Sequence, residues 1–102
     1  MKYQLILQFN GKTENDFDKL VEIEEKLEDG LHGIAEVDGH DFGSEEMNIF
    51  ILTNEPKKIF ASTQEILKNS NLFSNVRAAY RENTGSEYKI LWPEDLDEFL
   101  VK

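Results

Sequence analysis

Residues 3–9, Tyr-Gln-Leu-Ile-Leu-Gln-Phe, carry the pattern from which the rest of the fold is assigned. One set of alternate positions is entirely apolar or aromatic: Tyr3, Leu5, Leu7 and Phe9. The positions between them are mixed: Gln4, Ile6 and Gln8. A period of two predicts a β-strand with one buried face and one mixed face, and Asn10-Gly11 is a turn signal that ends it.

A helix is predicted to follow this strand, from Glu14 to about Leu31, with Gly30 and Gly33 ending it. Its apolar positions recur at steps of three and four: Phe17, Leu20, Val21, Leu27 and Leu31, with Ile23 at the margin. Four acidic residues are predicted to face away from this stripe: Asp18, Glu22, Glu25 and Asp29. Glu24 falls inside the stripe, and we expect its carboxylate to reach water.

The remaining segments are assigned from the same kinds of pattern. Strands are predicted at 34–40 and 47–53, joined by a glycine-containing loop at 39–44, and a second helix runs from Pro56 to about Lys68. A strand at 76–81 and a short additional strand at 88–92 complete the order. The chain closes with a turn that contains three apolar residues: Leu96, Phe99 and Leu100.

The order strand, helix, strand, strand, helix, strand resembles the ferredoxin-like α/β plait, over residues 3–82. The resemblance implies an α+β fold with a four-stranded antiparallel sheet, the first and third strands at its centre, and two helices on one face. Residues 87–102 would then be a C-terminal extension, and 1–102 a single domain. This fold hosts many unrelated functions, so the resemblance implies no catalytic residues here.

Composition excludes several classes of protein. The 102 residues include 21 Asp and Glu, 11 Lys and Arg and no cysteine, for a formal net charge of −10. No disulfide framework or thiolate zinc site is possible. The charge disfavours nucleic-acid binding, because phosphates carry the same sign, and no stretch is long and apolar enough to span a membrane. We expect a cytoplasmic protein without metal or cofactor.

The negative charge is concentrated in one segment. Residues 14–46 hold 13 acidic residues and two basic ones, Lys19 and Lys26. This block predicts a non-catalytic module that binds a basic protein, through Glu22, Glu25, Asp29, Glu36 and Asp38. In size and charge the chain is similar to bacterial immunity and antidote proteins, which implies an inhibitor of a basic partner. The alternative is that the acidic surface only keeps the protein in solution.

The sheet face opposite the helices is predicted to have an apolar middle between a basic and an acidic edge. The residues assigned to it as a possible ligand or dimer face are Ile6, Phe50, Leu52, Arg77, Arg81 and His40. Two copies joined by a twofold axis would bring basic edges against acidic ones, which predicts a homodimer. Alternatively, the C-terminal extension folds over the apolar residues and satisfies them within one chain.

A second function class centres on the hairpin loop at residues 39–46. Carboxylates and an imidazole cluster there: Asp38, His40, Asp41, Glu45 and Glu46. With Asp41 orienting it, His40 could act as a base in a minor enzyme, or a regulatory domain could bind a small molecule in a pocket lined by Phe50, Arg77 and His40. The spacing matches no metal-binding motif, so a solvated polar hairpin explains the cluster better than a site does.

Overall fold

The computed structural model describes residues 2–11, 14–43, 45–69, 76–85, 87–96 and 98–99. Leu100, expected in the closing turn, lies outside them, as do the last two residues of the predicted extension. The elements in chain order are β1 (Tyr3–Asn10), α1 (Glu14–Gly30), β2 (Glu36–Phe42), β3 (Glu46–Thr53), α2 (Pro56–Asn69), β4 (Arg77–Glu82) and β5 (Lys89–Trp92). None of the described helices is long and apolar enough to cross a membrane.

The strands form a single antiparallel sheet in the order β2-β3-β1-β4-β5. The prediction of an α+β fold with two helices is confirmed, and β1 and β3 lie inside the sheet. The prediction of four strands is wrong, because the described part of the chain forms a sheet of five. The additional short strand of the extension pairs with β4 and continues the same sheet, since Ala79 and Tyr80 align with Ile90 and Lys89.

Both helices pack on the face formed by Leu5, Leu7 and Phe9. Burial of these side chains against the two amphipathic helices is the main source of hydrophobic stabilisation for the fold. The helix side of this core consists of Leu20, Ile23 and Leu27 of α1 and Ile59, Phe60, Thr63 and Leu67 of α2.

The apolar stripe of α1 is rotated slightly from the predicted one. Ile23, predicted at the margin, is buried, whereas Phe17, predicted inside the stripe, is 39% exposed. The buried positions 20, 23, 27 and 31 follow steps of three and four and therefore define the true centre of the stripe. Phe17 lies to one side of that centre, and its ring points towards β2 instead of into the core.

The second sheet face is covered by the C-terminal extension, as one of the two alternatives predicted. Ile6 and Ala79 are fully buried in a cluster with Phe99. Four half-buried residues surround this cluster: Phe50, Tyr88, Ile90 and Leu96. The C-terminal extension of the same chain therefore buries Ile6, the residue at the middle of the proposed dimer face.

Candidate functional site

The outer face of α1 carries a row of carboxylates. Successive steps of four, three and four residues place Asp18, Glu22, Glu25 and Asp29 within a sector of roughly 60°. All four are exposed, and none takes part in an ion pair with another described residue. The prediction that these side chains face away from the core is confirmed.

The neighbouring edge strand carries further carboxylates, of which Glu36 pairs with Leu52 and therefore lies on the sheet face opposite the helices. α1 packs against β2, and the β2 residues Glu36 and Asp38 are also exposed and unpaired within the described chain. We call the combined set Asp18, Glu22, Glu25, Asp29, Glu36 and Asp38 the acidic surface. It contains all five residues that the sequence assigned to partner binding.

The charges of the two sides of the molecule differ strongly. α1 and β2 together hold eleven acidic and two basic residues, whereas α2, β4 and β5 hold six basic and two acidic ones. Potentials from like charges on one side add together, so the protein has a negative side, whereas the other side is nearly neutral once the acidic residues between its elements (Glu55, Glu87, Glu94, Asp95 and Glu98) are included. The net charge of −10 is therefore unevenly distributed in space as well as in sequence.

A bulge in β2 determines where His40 lies. The pairing register shifts between Val37 and Gly39, leaving Asp38 without an opposite residue on β3. Gly39 has a φ of 150°, a backbone conformation that other residues rarely adopt. Because an extra residue reverses the side-chain alternation, His40 pairs with Ile49 and points to the helix face.

This position contradicts the assignment of His40 to the possible ligand or dimer face. Phe50, Leu52, Arg77 and Arg81 do lie on that face with Ile6, but His40 lies on the opposite one. A pocket lined by Phe50, Arg77 and His40 is therefore excluded. Simple alternation along residues 34–40 misplaced the histidine because it did not include the extra residue at the bulge.

His40 contacts α1 through Glu24. Its Nδ1 lies 3.1 Å from Oε1 and 3.0 Å from Oε2 of Glu24, whose side chain is 15% exposed. With Nδ1 donating the proton, the carboxylate holds the imidazole in one tautomer and orientation. Glu24, and not Asp41 as predicted, orients the histidine, and the carboxylate is bound to a partner where we expected it to reach water.

Aromatic rings complete this contact. Phe17 packs edge-on against His40 at 5.8 Å between ring centroids and against Phe42 at 5.5 Å. These three rings, which we call the aromatic patch, connect α1 to β2 next to the acidic surface. The sequence placed Phe17 in the apolar stripe of α1 and gave no signal for Phe42, because the contact between the two rings depends on the register of β2 after the bulge.

The predicted cluster at 38–46 is divided by the fold. Asp38 is exposed at the bulge, His40 joins α1, and Glu46 is 9% exposed and accepts a hydrogen bond from Asn48 Nδ2 at 3.1 Å. Asn48 in turn accepts one from Gln8 Nε2 at 3.2 Å. No group of three potential ligands among the described residues is arranged to hold a metal ion.

Among the surface clefts between described residues, three offer space for small ligands. One of about 360 Å³ is lined by Tyr3, Tyr80, Arg81 and Lys89 among others, and one of about 340 Å³ adjoins it at the start of α2. A third, of about 330 Å³, lies beside the predicted loop and is lined by Asn10, Gly11, Asp16 and Glu45. None of the three is lined by His40 or Phe50.

Comparison with known proteins bears on the fold alone. No family model matches the chain, and no curated protein matches it. Among solved structures, the chain is similar to "De novo designed protein Foldit4", with a TM-score of 0.51 and 17% identity, covering 84% of this chain and 100% of the designed one. At this identity the similarity shows a shared arrangement of elements and carries no information about activity.

Proposed function

We propose that this protein is a non-catalytic binding module that uses the acidic surface to bind a basic protein, in the manner of an immunity or antidote-type inhibitor. The observation that carries the proposal is that six carboxylates on α1 and β2 are exposed and unpaired among the described residues. A charged surface without internal counter-ions attracts a partner of opposite sign and accelerates their association.

The aromatic patch supplies apolar contact area, which charged groups alone do not provide. Interfaces derive most of their binding energy from a few central aromatic or arginine contacts, with charged groups at the rim. Phe17 is 39% exposed and is held by Phe42 and His40, so it presents apolar area without much loss of side-chain freedom on binding. We infer that Phe17 lies near the centre of the interface and the acidic surface forms part of its rim.

The edge of the sheet favours contact through side chains. β2 is an edge strand that carries Glu36, Asp38 and a bulge, the features that prevent another strand from adding to an exposed edge. A partner would therefore meet charged side chains and rings rather than extend the sheet. This agrees with a folded basic surface as the ligand and argues against an added extended peptide.

We further infer that the fold is a ferredoxin-like plait to which β5 has been added, and that the protein works in the cytoplasm. The order β2-β3-β1-β4 supports the first inference. The absence of cysteine supports the second, because the chain needs no oxidising compartment to fold. Localisation of a fluorescent fusion to the cell envelope would contradict it.

A homodimer through the covered sheet face is a separate proposal on assembly. Phe50 and Leu52 are half-buried there and Arg77 and Arg81 lie on the same face, so some apolar and basic surface is accessible to a second copy. Light scattering coupled to size exclusion measures the mass directly. A value twice the 11.8 kDa of the chain would support the dimer, and a single-chain mass at high concentration would contradict it.

The second candidate function is a small-molecule regulatory domain or a minor enzyme with its site near residues 39–46. Two observations favour it: the cleft lined by Asn10, Gly11, Asp16 and Glu45, and a histidine held in one orientation by Glu24. A positioned imidazole is the usual general base, but no nucleophile or oxyanion donor accompanies it among the described residues that contact it. Ligand binding that disappears in His40→Ala would support this function.

The main proposal is tested by affinity capture followed by measurement with the purified partner. Captured proteins are compared at low and moderate salt, because contacts between exposed charges weaken as ionic strength rises. We expect a partner with a basic surface, whose binding the variant Glu22→Gln/Glu25→Gln/Asp29→Asn weakens. Binding of an acidic partner, or binding that does not depend on salt, would contradict the proposal.

A further inference from the structure

We propose that the two adjoining clefts near Tyr3 and Tyr80 form one binding site for a small molecule that carries an aromatic ring and an anionic group. This site lies away from the acidic surface, and it does not depend on the proposed binding of a basic protein. Both clefts are lined by Tyr3, Tyr80 and Lys89, so these three residues are the shared centre of the site.

The size and walls of the site suit a small organic ligand. Clefts of about 360 and 340 Å³ fall at the lower end of the range occupied by bound small molecules. Tyr3 and Tyr80 lie on neighbouring strands with their rings edge-to-face at 5.8 Å and an interplanar angle of 82°. Both are half-buried at the end of the core, where they offer an aromatic surface to a planar group.

One wall of the site is already fixed by hydrogen bonds. Arg81 Nη1 donates to the carbonyl oxygen of Gly85 at 2.8 Å and to those of Glu82 and Asn83, each at 3.3 Å. These contacts hold the turn after β4 in one conformation. A wall that is ordered before binding reduces the entropy lost when a ligand enters.

The lining of the site carries one net positive charge, which favours an anion. The two clefts are lined by four basic and three acidic residues, in a chain whose acidic residues outnumber its basic ones almost two to one. Arg81 is occupied by the turn, and Lys58 lies 3.8 Å from Glu55. Lys89 has no ion-pair partner among the described residues, which leaves its ammonium group available to a carboxylate or phosphate.

The cation above Tyr3 adds to this preference. The Lys2 ammonium lies 5.6 Å from the centroid of the Tyr3 ring, so a further positive charge stands at the border of the site. Glu82 and Glu87 line the first cleft and would favour a cation instead. If the lysines govern binding, an aromatic anion binds more tightly than an aromatic cation, and if the glutamates govern it, the cation binds more tightly. Simple probes of each charge therefore test the proposal.

The experiment is an NMR titration of the full chain with phenyl phosphate, benzoate, inorganic phosphate and benzylamine. We expect phenyl phosphate or benzoate to shift the amides of Tyr3, Tyr80 and Lys89 at lower concentration than inorganic phosphate or benzylamine. The tighter of the two aromatic anions distinguishes a phosphate from a carboxylate ligand. Equal effects of inorganic phosphate, tighter binding of benzylamine, or shifts elsewhere would overturn the proposal.

Matched variants assign the charge contact. Lys89→Ala removes the shared ammonium, and Lys19→Ala removes an exposed lysine on α1 that lines neither cleft. We expect Lys89→Ala to raise the dissociation constant of the better aromatic anion at least fivefold and Lys19→Ala to leave it unchanged. Equal dissociation constants for both variants would overturn the assignment, and both substitutions are at exposed positions that do not contribute to the core.

Discussion

His40 shows how one side chain joins a helix to an edge strand. Its Nδ1 contacts both carboxylate oxygens of Glu24, and Phe17 packs on its ring. The pair is partly exposed, since the His40 and Glu24 side chains are 31% and 15% accessible. Water therefore competes for the contact, and its contribution to stability is that of a hydrogen bond near the surface rather than of a buried ion pair.

A double-mutant cycle measures this contact. We expect His40→Ala and Glu24→Gln, singly and together, to show a coupling free energy of about 0.5 to 1 kcal/mol in urea unfolding. Each single change removes the same charge-assisted contact, so the second change should cost little after the first. A parallel cycle of His40→Ala with Glu25→Gln serves as control, because Glu25 is exposed and forms no ion pair with any residue that the structure describes. Additive effects in both cycles would contradict the contact.

At the scale of the element, β2 is the strand that sequence reasoning described least well. The apolar periods of β1, β3, α1 and α2 are long and regular, so those elements were predicted with nearly correct ends. β2 reads Glu-Val-Asp-Gly-His-Asp-Phe, with little apolar alternation to reveal a shift of register. Gly39 was the available signal, since an isolated glycine in a strand indicates a bulge, but a loop containing glycine explained it as well.

The bulge predicts a specific effect of substitution at Gly39. We expect Gly39→Ala to lower the free energy of unfolding by about 1 to 2 kcal/mol, because alanine tolerates a φ of 150° poorly. The variant should also weaken the nuclear Overhauser contacts between the rings of His40 and Phe17. Gly43→Ala is the matched control: its added Cβ would lie an ordinary 3.6 Å from the Glu46 carbonyl oxygen. Equal stability of the two variants would contradict the account of the bulge.

The C-terminal extension is the other element whose role depends on contacts distant in sequence. Its alternating residues predicted a short strand. Local periodicity does not show whether the extension covers Ile6 or leaves that sheet face open to a second copy. Ile6 is fully buried and Phe99 is 6% exposed in the same cluster. The extension is therefore part of the core rather than an appendage to it.

Removing the Phe99 ring tests this role. We expect Phe99→Ala to lower the free energy of unfolding by about 3 kcal/mol, because it leaves a cavity against Ile6 and Ala79. The exposed neighbour Glu98 supplies the control, since Glu98→Ala keeps the chain length and leaves the cluster intact. If denaturant melts of Phe99→Ala and Glu98→Ala coincide, the extension does not stabilise the sheet.

At the scale of the whole molecule, the fold places most acidic residues and most basic residues on different elements. The acidic block in the sequence becomes one helix face and one edge strand, while basic residues are carried mainly by α2, β4 and β5. The sequence predicted both the block and its exposure, because helical spacing alone places these carboxylates away from the core. It did not predict the aromatic patch beside them, which requires the register of β2.

The charge asymmetry predicts how salt acts on binding. Raising the ionic strength from about 0.05 to 0.5 M shortens the screening length severalfold, so we expect the association rate with the basic partner to fall more than the dissociation rate rises. Stopped-flow or surface-based kinetics separate the two rates. A change confined to the dissociation rate would indicate that apolar contacts, and not the acidic surface, control encounter.

The most direct test of the central claim compares two triple variants that lose the same charge from different places. Glu22→Gln/Glu25→Gln/Asp29→Asn neutralises three of the four carboxylates on the outer face of α1, and Glu65→Gln/Asp95→Asn/Glu98→Gln neutralises three exposed carboxylates elsewhere. Calorimetry against the captured partner should show the first variant binding about tenfold more weakly, about 1.4 kcal/mol, and the second binding like the original chain. Equal weakening by the two variants would show that net charge, and not the acidic surface, governs binding, and unchanged binding by the first variant would contradict the account outright.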